Sequence, residues 1–551
     1  MSKSKKSKGE EEEGRRNLLL PKLERWPIDE EDPIVELRGV HKRFKDEEVL
    51  RGVDLKVEAG KITVIAGASG AGKSVLIKHM NGLLAPDEGQ VRLFGQDVSS
   101  LSAPELDKLR KRIGVMFQNY ALFDSMSVED NVAFPLVEHN AMGRRKARER
   151  ARSILEELGL GHAVSQFPAT LSGGMKKRVS LARAIVANPE LVLFDEPTTG
   201  LDPVMMEFVD GMVEEITEKY QLTSVLISHN TATIFRIADR VAVLHDGEII
   251  AYGEPEEIRK REDERIEALL GGQDHGDIRI RDGDGPKQEG NGKEEEQTRY
   301  TVKMTNVRKS FRGDAVLKGV DFQAPERKLT TLIGGSGAGK SVMMKHILGL
   351  FQPDEGEVNV FGNVLASMNE GELRKMRTQI GMLFQHAALF DSMTVRENVA
   401  FPLAERRVCS RREAHERADE LLKRLQLEKI ADTMPLECSS GQQKRVSLAR
   451  ALVTEPRLLI FDEPTTGQDP LMSRYVEEMV MEVQRDFDVT TIVISHDMAS
   501  AFRTADFIAM LHKGEIIAYG SPADLAESKD ERVHDFVYAA DVAAEERARG
   551  Q

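Results

Sequence analysis

A short glycine-rich stretch that ends in lysine and serine occurs twice in this sequence. It runs Gly67-Ala-Ser-Gly-Ala-Gly-Lys-Ser74 in the first half and Gly334-Gly-Ser-Gly-Ala-Gly-Lys-Ser341 in the second. In such a loop backbone N–H groups wrap phosphate oxygens, the lysine contacts the phosphates, and the serine hydroxyl can bind Mg²⁺. An ordinary glycine-rich turn is the alternative, which the strand-like run before the loop and the helix-like run after it argue against. The predicted phosphate-binding residues are Gly67, Ser69, Gly70, Ala71, Gly72, Lys73 and Ser74, and Gly334, Ser336, Gly337, Ala338, Gly339, Lys340 and Ser341.

Each half also contains two adjacent acidic residues at the end of an apolar run. The pair Asp195-Glu196 follows Leu191 to Phe194, and the pair Asp462-Glu463 follows the same pattern. An aspartate at a strand end can order Mg²⁺ and its waters, while the glutamate can polarise the attacking water of a hydrolysis. Taken alone, such a pair is more often a capped or solvated strand end. Beside a phosphate loop in each half, the pattern favours metal-assisted hydrolysis, with the aspartates as metal ligands and the glutamates as catalytic bases.

The elements that position these residues belong to a duplicated domain, because the two halves match at a constant shift of 340 − 73 = 267 residues. Apolar runs such as Ile62 to Ala66 and Ser224 to Ile227 predict strands, and Lys146 to Leu158 predicts a helix. Strands that are apolar throughout indicate a sheet covered on both faces. The sequence therefore predicts the α/β fold class, and the long period excludes a solenoid.

Composition shifts give the predicted domain boundaries. The terminal and linking segments are a charged tail (1–33), a flexible linker rich in Gly, Asp, Glu and Lys (271–298) and a C-terminal helical extension (526–551). The two copies of the domain occupy residues 34–270 and 299–525. The alternative for the tail is docking on a partner through Leu18 to Leu20 and Trp26.

The overall composition narrows the class of protein. Apolar residues make up 40% and charged residues 31% of 551 residues, which is typical of a soluble globular protein. The formal net charge of −15 argues against a general electrostatic grip on nucleic acid, so no nucleic-acid partner is expected. Cys409 and Cys438 lack metal-like spacing, so zinc, iron–sulfur and disulfide frameworks have no support. Without a long apolar run or a signal-peptide core, we expect a cytoplasmic chain that does not itself cross a membrane.

Between the phosphate loop and the acidic pair of the first half lies Leu171-Ser172-Gly173-Gly174-Met175. This run resembles the signature motif of the ATP-binding cassette (ABC) ATPases. The resemblance implies two P-loop nucleotide-binding domains in tandem, each a RecA-like core with a helical subdomain. It also implies an intramolecular cassette dimer that sandwiches two ATP molecules, each held by the P-loop of one half and the signature of the other. The implied signature residues are Ser172, Gly173 and Gly174, and Ser439, Ser440 and Gly441.

Other positions match the ABC pattern in the same order in both halves. Taken one by one, a histidine or phenylalanine is usually a core residue and a glutamine a surface residue, but the shared order favours function. ATP and Mg²⁺ are the cofactors that the resemblance implies. The implied residues are Gln118 and Gln385 for Mg²⁺ and the attacking water (Q-loop), His229 and His496 for the γ-phosphate (switch), Asp202 and Asp469 for the link between the sites (D-loop), and Phe44 and Phe311 for stacking on adenine.

The second signature departs from the first, because it reads Cys438-Ser439-Ser440-Gly441-Gln442. Ser440 stands where the first copy has Gly173. A side chain there would crowd the nucleotide if the backbone needs a positive φ, and would be tolerated if φ is negative. The doubt concerns only the site built from Lys73 and Ser439, and asymmetric turnover of the two sites stays an open alternative.

An apolar stretch after each Q-loop glutamine indicates the partner. Phe117 to Met126 recurs as Phe384 to Met393, and Asn131 to Leu136 recurs as Asn398 to Leu403. In ABC transporters this stretch opens the subdomain that receives the permease, and an exposed apolar surface needs a partner. The amino-acid sequence of this stretch resembles that of the ATPase subunits of Mla-type lipid transporters. That resemblance implies integral-membrane permease subunits and MCE proteins as partners, with the chain on the cytoplasmic face of the inner membrane.

Two other classes of tandem ATPase are alternatives. One is a soluble ATPase that remodels ribosomes or nucleic acid, which typically carries a long charged helical spacer between its cassettes; residues 271–298 are short and contain glycine instead. The other is the ATPase of a different ABC importer or exporter, such as a sugar importer with a degraded second P-loop, whereas the second P-loop here is intact. The sequence favours a transporter subunit, and lipid transport among the transporters.

Overall fold

The computed structural model describes residues 33–44, 47–68, 70–118, 120–139, 141–199, 201, 203–270, 299–311, 313–335, 337–384, 387–406, 408–466, 468, 470–528, 530 and 532–533. The contacts divide the chain into two compact units, one for each copy of the repeat. The predicted linker, nearly all of the predicted tail and most of the predicted C-terminal extension lie outside the described residues. The predicted boundaries of these three segments stay predictions.

The first unit combines strands and helices in alternation. Its strands are β1 (Val35–Phe44), β2 (Glu47–Val57), β3 (Ile62–Gly67), β4 (Glu88–Leu93), β5 (Gln96–Asp97), β6 (Ile113–Met116), β7 (Leu191–Asp195), β8 (Thr223–Ser228), β9 (Arg240–His245) and β10 (Glu248–Gly253). Its helices are α1 (Lys73–Met80), α2 (Ala103–Arg110), α3 (Val128–Glu138), α4 (Arg144–Glu157), α5 (Gly173–Ile185), α6 (Pro203–Tyr220), α7 (Thr231–Ile237), α8 (Pro255–Arg259) and α9 (Glu264–Leu270).

The second unit repeats this order. Its strands are β11 (Tyr300–Phe311), β12 (Asp314–Pro325), β13 (Leu329–Ile333), β14 (Glu355–Val360), β15 (Asn363–Val364), β16 (Ile380–Leu383), β17 (Leu458–Asp462), β18 (Thr490–Ser495), β19 (Phe507–His512) and β20 (Glu515–Gly520). Its helices are α10 (Lys340–Ile347), α11 (Glu370–Arg377), α12 (Val395–Glu405), α13 (Arg411–Arg424), α14 (Ser440–Leu452), α15 (Pro470–Asp486), α16 (Met498–Thr504) and α17 (Pro522–Ala526).

A six-stranded, mostly parallel sheet forms the centre of each unit. Its order is β10-β9-β3-β8-β7-β6 in the first unit and β16-β17-β18-β13-β19-β20 in the second. In the first unit β3, β8 and β7 are adjacent and parallel, so their carboxyl ends lie at one edge of the sheet. Ligands of open α/β sheets bind at that edge. The predicted α/β class and duplicated domain are confirmed.

The central strands are apolar because both of their faces are covered. Val64 of β3 packs in the core on one face of the sheet, while Ile65 packs in the core on the other face, against the antiparallel sheet β2-β1-β4-β5. Both side chains are fully buried. Burial of a Val or Ile side chain contributes about 1.5–3 kcal/mol to folding, so this core holds the strand ends in fixed positions.

Three helices form the helical part of each unit. In the first unit α3, α4 and α5 meet through the fully buried side chains of Val132, Ala151 and Val179. Ser127 caps α3, because its hydroxyl accepts a hydrogen bond from the N–H of Asp130. The matching positions of α12, α13 and α14 hold Val399, Ala418 and Val446, which are also fully buried.

The described end of the chain packs onto the second unit. Helix α17 crosses the predicted boundary at residue 525, and Val533 is fully buried in the core beneath β19. Asp530 accepts hydrogen bonds from the backbone and side chain of Arg532, as Asp263 does from Arg265 before α9 in the first unit. The repeat therefore continues to Val533. Among the described residues, no helix combines the length and the apolar character needed to cross a membrane.

Candidate functional site

The first phosphate loop joins the carboxyl end of β3 to α1. Gly67 approaches a neighbouring strand so closely that an added Cβ would lie 2.4 Å from the Leu244 carbonyl oxygen. Gly72 has φ 104° and occupies the N-cap of α1 without a side-chain cap. The backbone geometry therefore requires glycine at both positions. The N-terminus of α1 offers its backbone N–H groups and its dipole to an anion.

The lysine of this loop lies against the loop itself. The Lys73 ammonium group donates hydrogen bonds of 2.8 Å to the carbonyls of Gly67 and Ala68. Ser74 follows it in the first turn of α1 and is exposed. The charge of Lys73 and the hydroxyl of Ser74 thus sit at the helix start where a phosphate would bind, while Ser69 lies outside the described residues.

The second phosphate loop has the same construction. A Cβ on Gly334 would lie 2.3 Å from the Leu511 carbonyl oxygen, and Gly339 has φ 112°. Lys340 donates to the Gly334 carbonyl at 2.6 Å and also lies 3.8 Å from the Glu463 carboxylate. Of the other predicted residues of the two loops, Gly70 and Gly337 have positive φ angles, Ala71 and Ala338 are buried, Ser341 is exposed, and Ser336 lies outside the described residues.

Two predicted catalytic residues of the first unit, Gln118 and His229, contact the third, Glu196. The carboxylate of Glu196 lies 3.3 Å from Nδ1 of His229 and accepts hydrogen bonds from Gln118 at 3.3 Å and from Thr199 at 2.9 Å. Glu196 itself has φ 48°, a left-handed conformation that is uncommon outside glycine and costs about 1–3 kcal/mol. The fold holds Glu196 in this strained conformation, which directs its carboxylate toward Gln118 and His229.

The two acids of the first pair differ in electrostatics. Burial alone would raise the pKa of Glu196, but the hydrogen bond and charge of His229 and the charge of Lys73 lower it below the usual range. Burial and the neighbouring negative charge of Glu196 raise the pKa of Asp195. Glu196 is therefore suited to remain an anionic base, whereas the charge on Asp195 calls for a nearby cation.

The second unit brings together the same groups around Glu463. This residue also has a positive φ, 49°, and lies 3.6 Å from Nδ1 of His496 and 3.2 Å from the Thr466 hydroxyl. Burial would raise the pKa of Glu463, but His496 and Lys340 lower it, and burial raises the pKa of Asp462. Gln385 lies outside the described residues, as do Asp202 and Asp469.

The signature serines cap the helices that follow them. The hydroxyl of Ser172 accepts a hydrogen bond from the N–H of Met175 at the start of α5. Gly174 follows in the first turn, where an added Cβ would lie 2.7 Å from the Met205 methyl group. In the second unit Ser439 caps α14 in the same way, and there Gln442 also accepts a hydrogen bond from the Ser439 N–H. Gly441 has the matching position in the first turn of α14, close to Met472.

Ser440 begins helix α14, as Gly173 begins α5. Its backbone is therefore helical, and the alternative that requires a positive φ does not apply. A Cβ added at Gly173 would have the Tyr120 hydroxyl at 3.5 Å as its nearest neighbour, which is an ordinary contact. The helical backbone supports the alternative in which the second signature tolerates a serine at position 440.

Sequence reasoning missed a set of contacts between the signature helices and the rest of the site. Arg183 of α5 donates to the carbonyls of Tyr120 and Ala121, just after the Q-loop glutamine. The buried Lys177 donates to the Pro197 carbonyl, just after Glu196, and burial lowers the pKa of Lys177 to about 8. Arg450 and Lys444 make the equivalent bonds in the second unit. Their recurrence at the shift of 267 residues was the available signal.

The two predicted adenine-stacking residues end the first strands of their units. Phe44 ends β1 and Phe311 ends β11, and their side chains are 44% and 38% exposed. The Lys42 and Lys309 ammonium groups each lie 5.7 Å from the ring of the neighbouring phenylalanine. An exposed ring with a fixed neighbour is a suitable platform for a nucleobase.

A family model described as ABC transporter matches residues 50–199 and 317–466. The chain belongs to the ABC transporter family. An uncharacterized ABC transporter ATP-binding protein of Methanocaldococcus jannaschii is 30% identical to this ABC ATPase over 89% of the chain and 96% of its own length. The intermembrane phospholipid transport system ATP-binding protein MlaF of Haemophilus influenzae is 38% identical over 45% of the chain and 94% of its own length. The methionine import ATP-binding protein MetN of Rhizobium etli is 42% identical over 40% of the chain and 62% of its own length.

These matches confirm the predicted family, the tandem cassettes and the ATPase activity of the chain. MlaF resembles the ABC ATPase over one cassette's length, and a methionine importer resembles it over a similar length at slightly higher identity. Half-chain identity therefore does not distinguish lipid from amino-acid transport.

Proposed function

We propose that this ABC ATPase hydrolyses ATP at two sites to power a membrane permease of the Mla type, acting with MCE proteins on phospholipids. Each site would combine the P-loop, acidic pair, glutamine and histidine of one cassette with the signature serine and glycines of the other. The observation that carries the hydrolytic part is the convergence of Gln118, His229 and Thr199 on the Glu196 carboxylate.

In the proposed reaction Glu196 orients a water molecule and accepts its proton, since its lowered pKa keeps the carboxylate anionic. Gln118 holds the other side of that water, and His229 contacts the transferred phosphate while it fixes the Glu196 carboxylate. The backbone N–H groups at the start of α1 and the Lys73 ammonium hold the phosphates in place. Positioning and electrostatics of this kind supply most of the catalysis in phosphoryl transfer.

The donor set beside the P-loop fits Mg²⁺. Ser74, Asp195 and Gln118 offer a hydroxyl, a carboxylate and an amide, which are the oxygen ligands that Mg²⁺ prefers. Partial burial and the charge of Glu196 raise the pKa of Asp195, and a cation would stabilise the negative charge of this carboxylate. Bound Mg²⁺ would neutralise part of the negative charge of the phosphates. Ser341, Asp462 and Gln385 are the proposed ligands in the second site.

Exposed apolar side chains on the helical part of each unit, and on the segment that leads into it from the central sheet, support the permease partner. Phe117, Phe123 and Phe167 are 44%, 42% and 48% exposed in the first unit. Phe123 packs against Phe134 of α3 with ring centroids 4.9 Å apart, which presents the pair as a rigid apolar edge. Phe384, Phe390 and Met434 take these places in the second unit, with 46%, 42% and 40% exposure. An apolar permease helix is the occupant that such paired surfaces suit.

Support for lipid transport comes from the amino-acid sequence of Phe117 to Met126 and from the similarity to MlaF over 45% of the chain. The alternatives are the ATPase of another ABC importer or exporter and, with less support, a soluble tandem ATPase acting on ribosomes or nucleic acid. A location on the cytoplasmic face of the inner membrane, held there by the permease, follows from the proposed partner.

Affinity purification of the full chain from solubilised membranes tests the partner. We expect an integral-membrane permease and an MCE protein to co-purify, and recovery of ribosomes instead would contradict the transporter assignment. Phe167→Asp with Met434→Asp should abolish the co-purification. The matched control is Leu83→Asp with Leu350→Asp, which places the same charges at residues 58% and 55% exposed outside the helical part and should leave it intact.

Reconstitution of the purified complex in proteoliposomes tests the substrate. ATP-dependent movement of labelled phospholipid is expected. Movement of a small solute such as methionine, without phospholipid movement, would favour the importer alternative. In either case Glu196→Gln combined with Glu463→Gln should stop transport, because both proposed bases are removed.

A further inference from the structure

Within the part of the chain that the structure describes, the proposed adenine platform of the second unit has an aromatic neighbour and that of the first unit has none. The rings of Phe311 and Phe351 lie 5.4 Å apart between centroids, with an interplanar angle of 58°. The position that matches Phe351 in the first unit is Leu84. Phe311 is also slightly less exposed than Phe44, at 38% against 44%. The two platforms therefore differ in a residue that no motif describes.

Phe351 is itself held by the helix that begins at the second P-loop. The Lys345 ammonium lies 5.2 Å from the Phe351 ring centroid, and the His346 ring meets it edge-on at 6.0 Å. His346 is fixed in turn, because its Nδ1 lies 2.7 Å from the Val342 carbonyl of the same helix. Helix α10 starts at Lys340, so the ring cluster links the phosphate-binding helix to the proposed base platform.

The first unit has the matching helix α1, but it has Leu84 in place of Phe351. Lys78 and His79 occupy the matching positions of α1, and Nδ1 of His79 lies 2.8 Å from the Val75 carbonyl. Leu84 is half-buried there and offers no aromatic face or edge. The chain thus contains a natural comparison of leucine and phenylalanine at this position, and the residue before each platform ring differs as well, Arg43 against Ser310.

We propose that Phe351 is a positioning residue that strengthens binding of the adenine base at the nucleotide site of the second P-loop. This inference rests on the proposed nucleotide role of Phe311. A ring that already lies in a fixed orientation loses less conformational freedom when a base stacks on it. The contact with Phe351 fixes the Phe311 ring before the base arrives, and avoiding the cost of immobilising one side chain corresponds to roughly a two- to tenfold change in affinity.

Calorimetric titration of the full chain tests the proposal. The Lys73→Ala background removes the first P-loop, so that AMP-PNP binding reports on the second. In that background Phe351→Leu should weaken AMP-PNP binding about threefold, and Phe351→Tyr, which keeps the ring, should restore it. Inorganic tripolyphosphate, which lacks a base, should bind with equal affinity to the Lys73→Ala protein and to its Phe351→Leu and Phe351→Tyr variants.

The reciprocal change uses the first unit. In the Lys340→Ala background Leu84→Phe should strengthen AMP-PNP binding about threefold without affecting tripolyphosphate. Unchanged AMP-PNP affinity in Phe351→Leu would overturn the proposal, and so would an equal loss for AMP-PNP and tripolyphosphate, since that would indicate general damage. Full AMP-PNP binding by the Lys73→Ala, Lys340→Ala chain would contradict the proposed P-loop function instead, and the platform with it.

Discussion

The two cassettes carry the same catalytic residue types, and their described differences lie in the groups that support those residues. In the first, the Glu196 carboxylate accepts hydrogen bonds from Gln118 and Thr199 and lies 3.3 Å from His229. In the second, the Glu463 carboxylate accepts a hydrogen bond from Thr466 at 3.2 Å and lies 3.6 Å from His496 and 3.8 Å from Lys340. The threonine and histidine contacts of the two proposed bases therefore recur, and the differences lie in residues farther from the carboxylates.

The helices near the switch histidine show a second difference. In the first cassette the fully buried Asp210 of α6 pairs with Arg236 of α7 at 2.9 Å. In the second, Glu477 of α15 pairs with Arg503 of α16 through two bonds of 2.7 and 3.0 Å. Both pairs tie the helix that follows the proposed histidine to the helix after the D-loop region. The two pairs show that an ion pair can connect these helices whether its arginine is largely buried or partly exposed.

The largest expected effect concerns the two proposed bases. Combining Glu196→Gln with Glu463→Gln should lower ATP hydrolysis at least about 100-fold, because general-base catalysis is lost at both sites. Each single change should cause an equal loss, since the helical backbone at Ser440 gives no reason for the second signature to weaken its site. Steady-state phosphate release measures all three variants. A larger loss for Glu463→Gln than for Glu196→Gln would break the equivalence of the cassettes and restore the asymmetric alternative.

The next effect concerns stability. Arg236→Met should destabilise the first cassette by about 3 kcal/mol, because it leaves the buried Asp210 carboxylate with the Thr233 hydroxyl but without its charged partner. Arg503→Met should cost about half as much, since the Arg503 side chain is 36% exposed against 16% for Arg236. Differential scanning calorimetry reads both as shifts in melting temperature. Equal shifts would show that burial does not distinguish the two pairs.

The stability loss of Arg236→Met should also depend on pH. Burial raises the pKa of Asp210 to about 6, so this carboxyl becomes neutral below that pH. A neutral acid needs no partner charge, and the loss should therefore be smaller at pH 5 than at pH 7. The same calorimetric scans at the two pH values check the sign. A larger loss at pH 5 would contradict the assignment of the effect to Asp210.

The smallest effect concerns the signature helices. Ser439 and Gln442 form a reciprocal cap on α14, whereas Met175 cannot return the bond to Ser172 on α5. Met175→Gln should stabilise the first cassette by about 0.5–1 kcal/mol, and Gln442→Met should destabilise the second by a similar amount. Opposite shifts of the two calorimetric transitions would sharpen the comparison. Shifts of the same sign would rule out capping as their cause.

The sequence by itself determined the duplicated α/β domain, the P-loops and the acidic pairs, because these features depend on local spacing that repeats unchanged. It also indicated which residue types do the chemistry. Ser69, Asp202, Ser336, Gln385 and Asp469 lie outside the described residues, and their roles stay predictions.

Only the tertiary structure decided how distant residues meet. Gln118 and Glu196 are 78 positions apart, and the parallel order of β6, β7 and β8 brings them to one sheet edge. The recurrence of Arg183 and Lys177 in the second half marks these residues, but it does not reveal their partners, since any residue supplies a backbone carbonyl. The sign of φ at Ser440 likewise depends on where helix α14 begins, which the Ser439 cap and the packing of that helix settle.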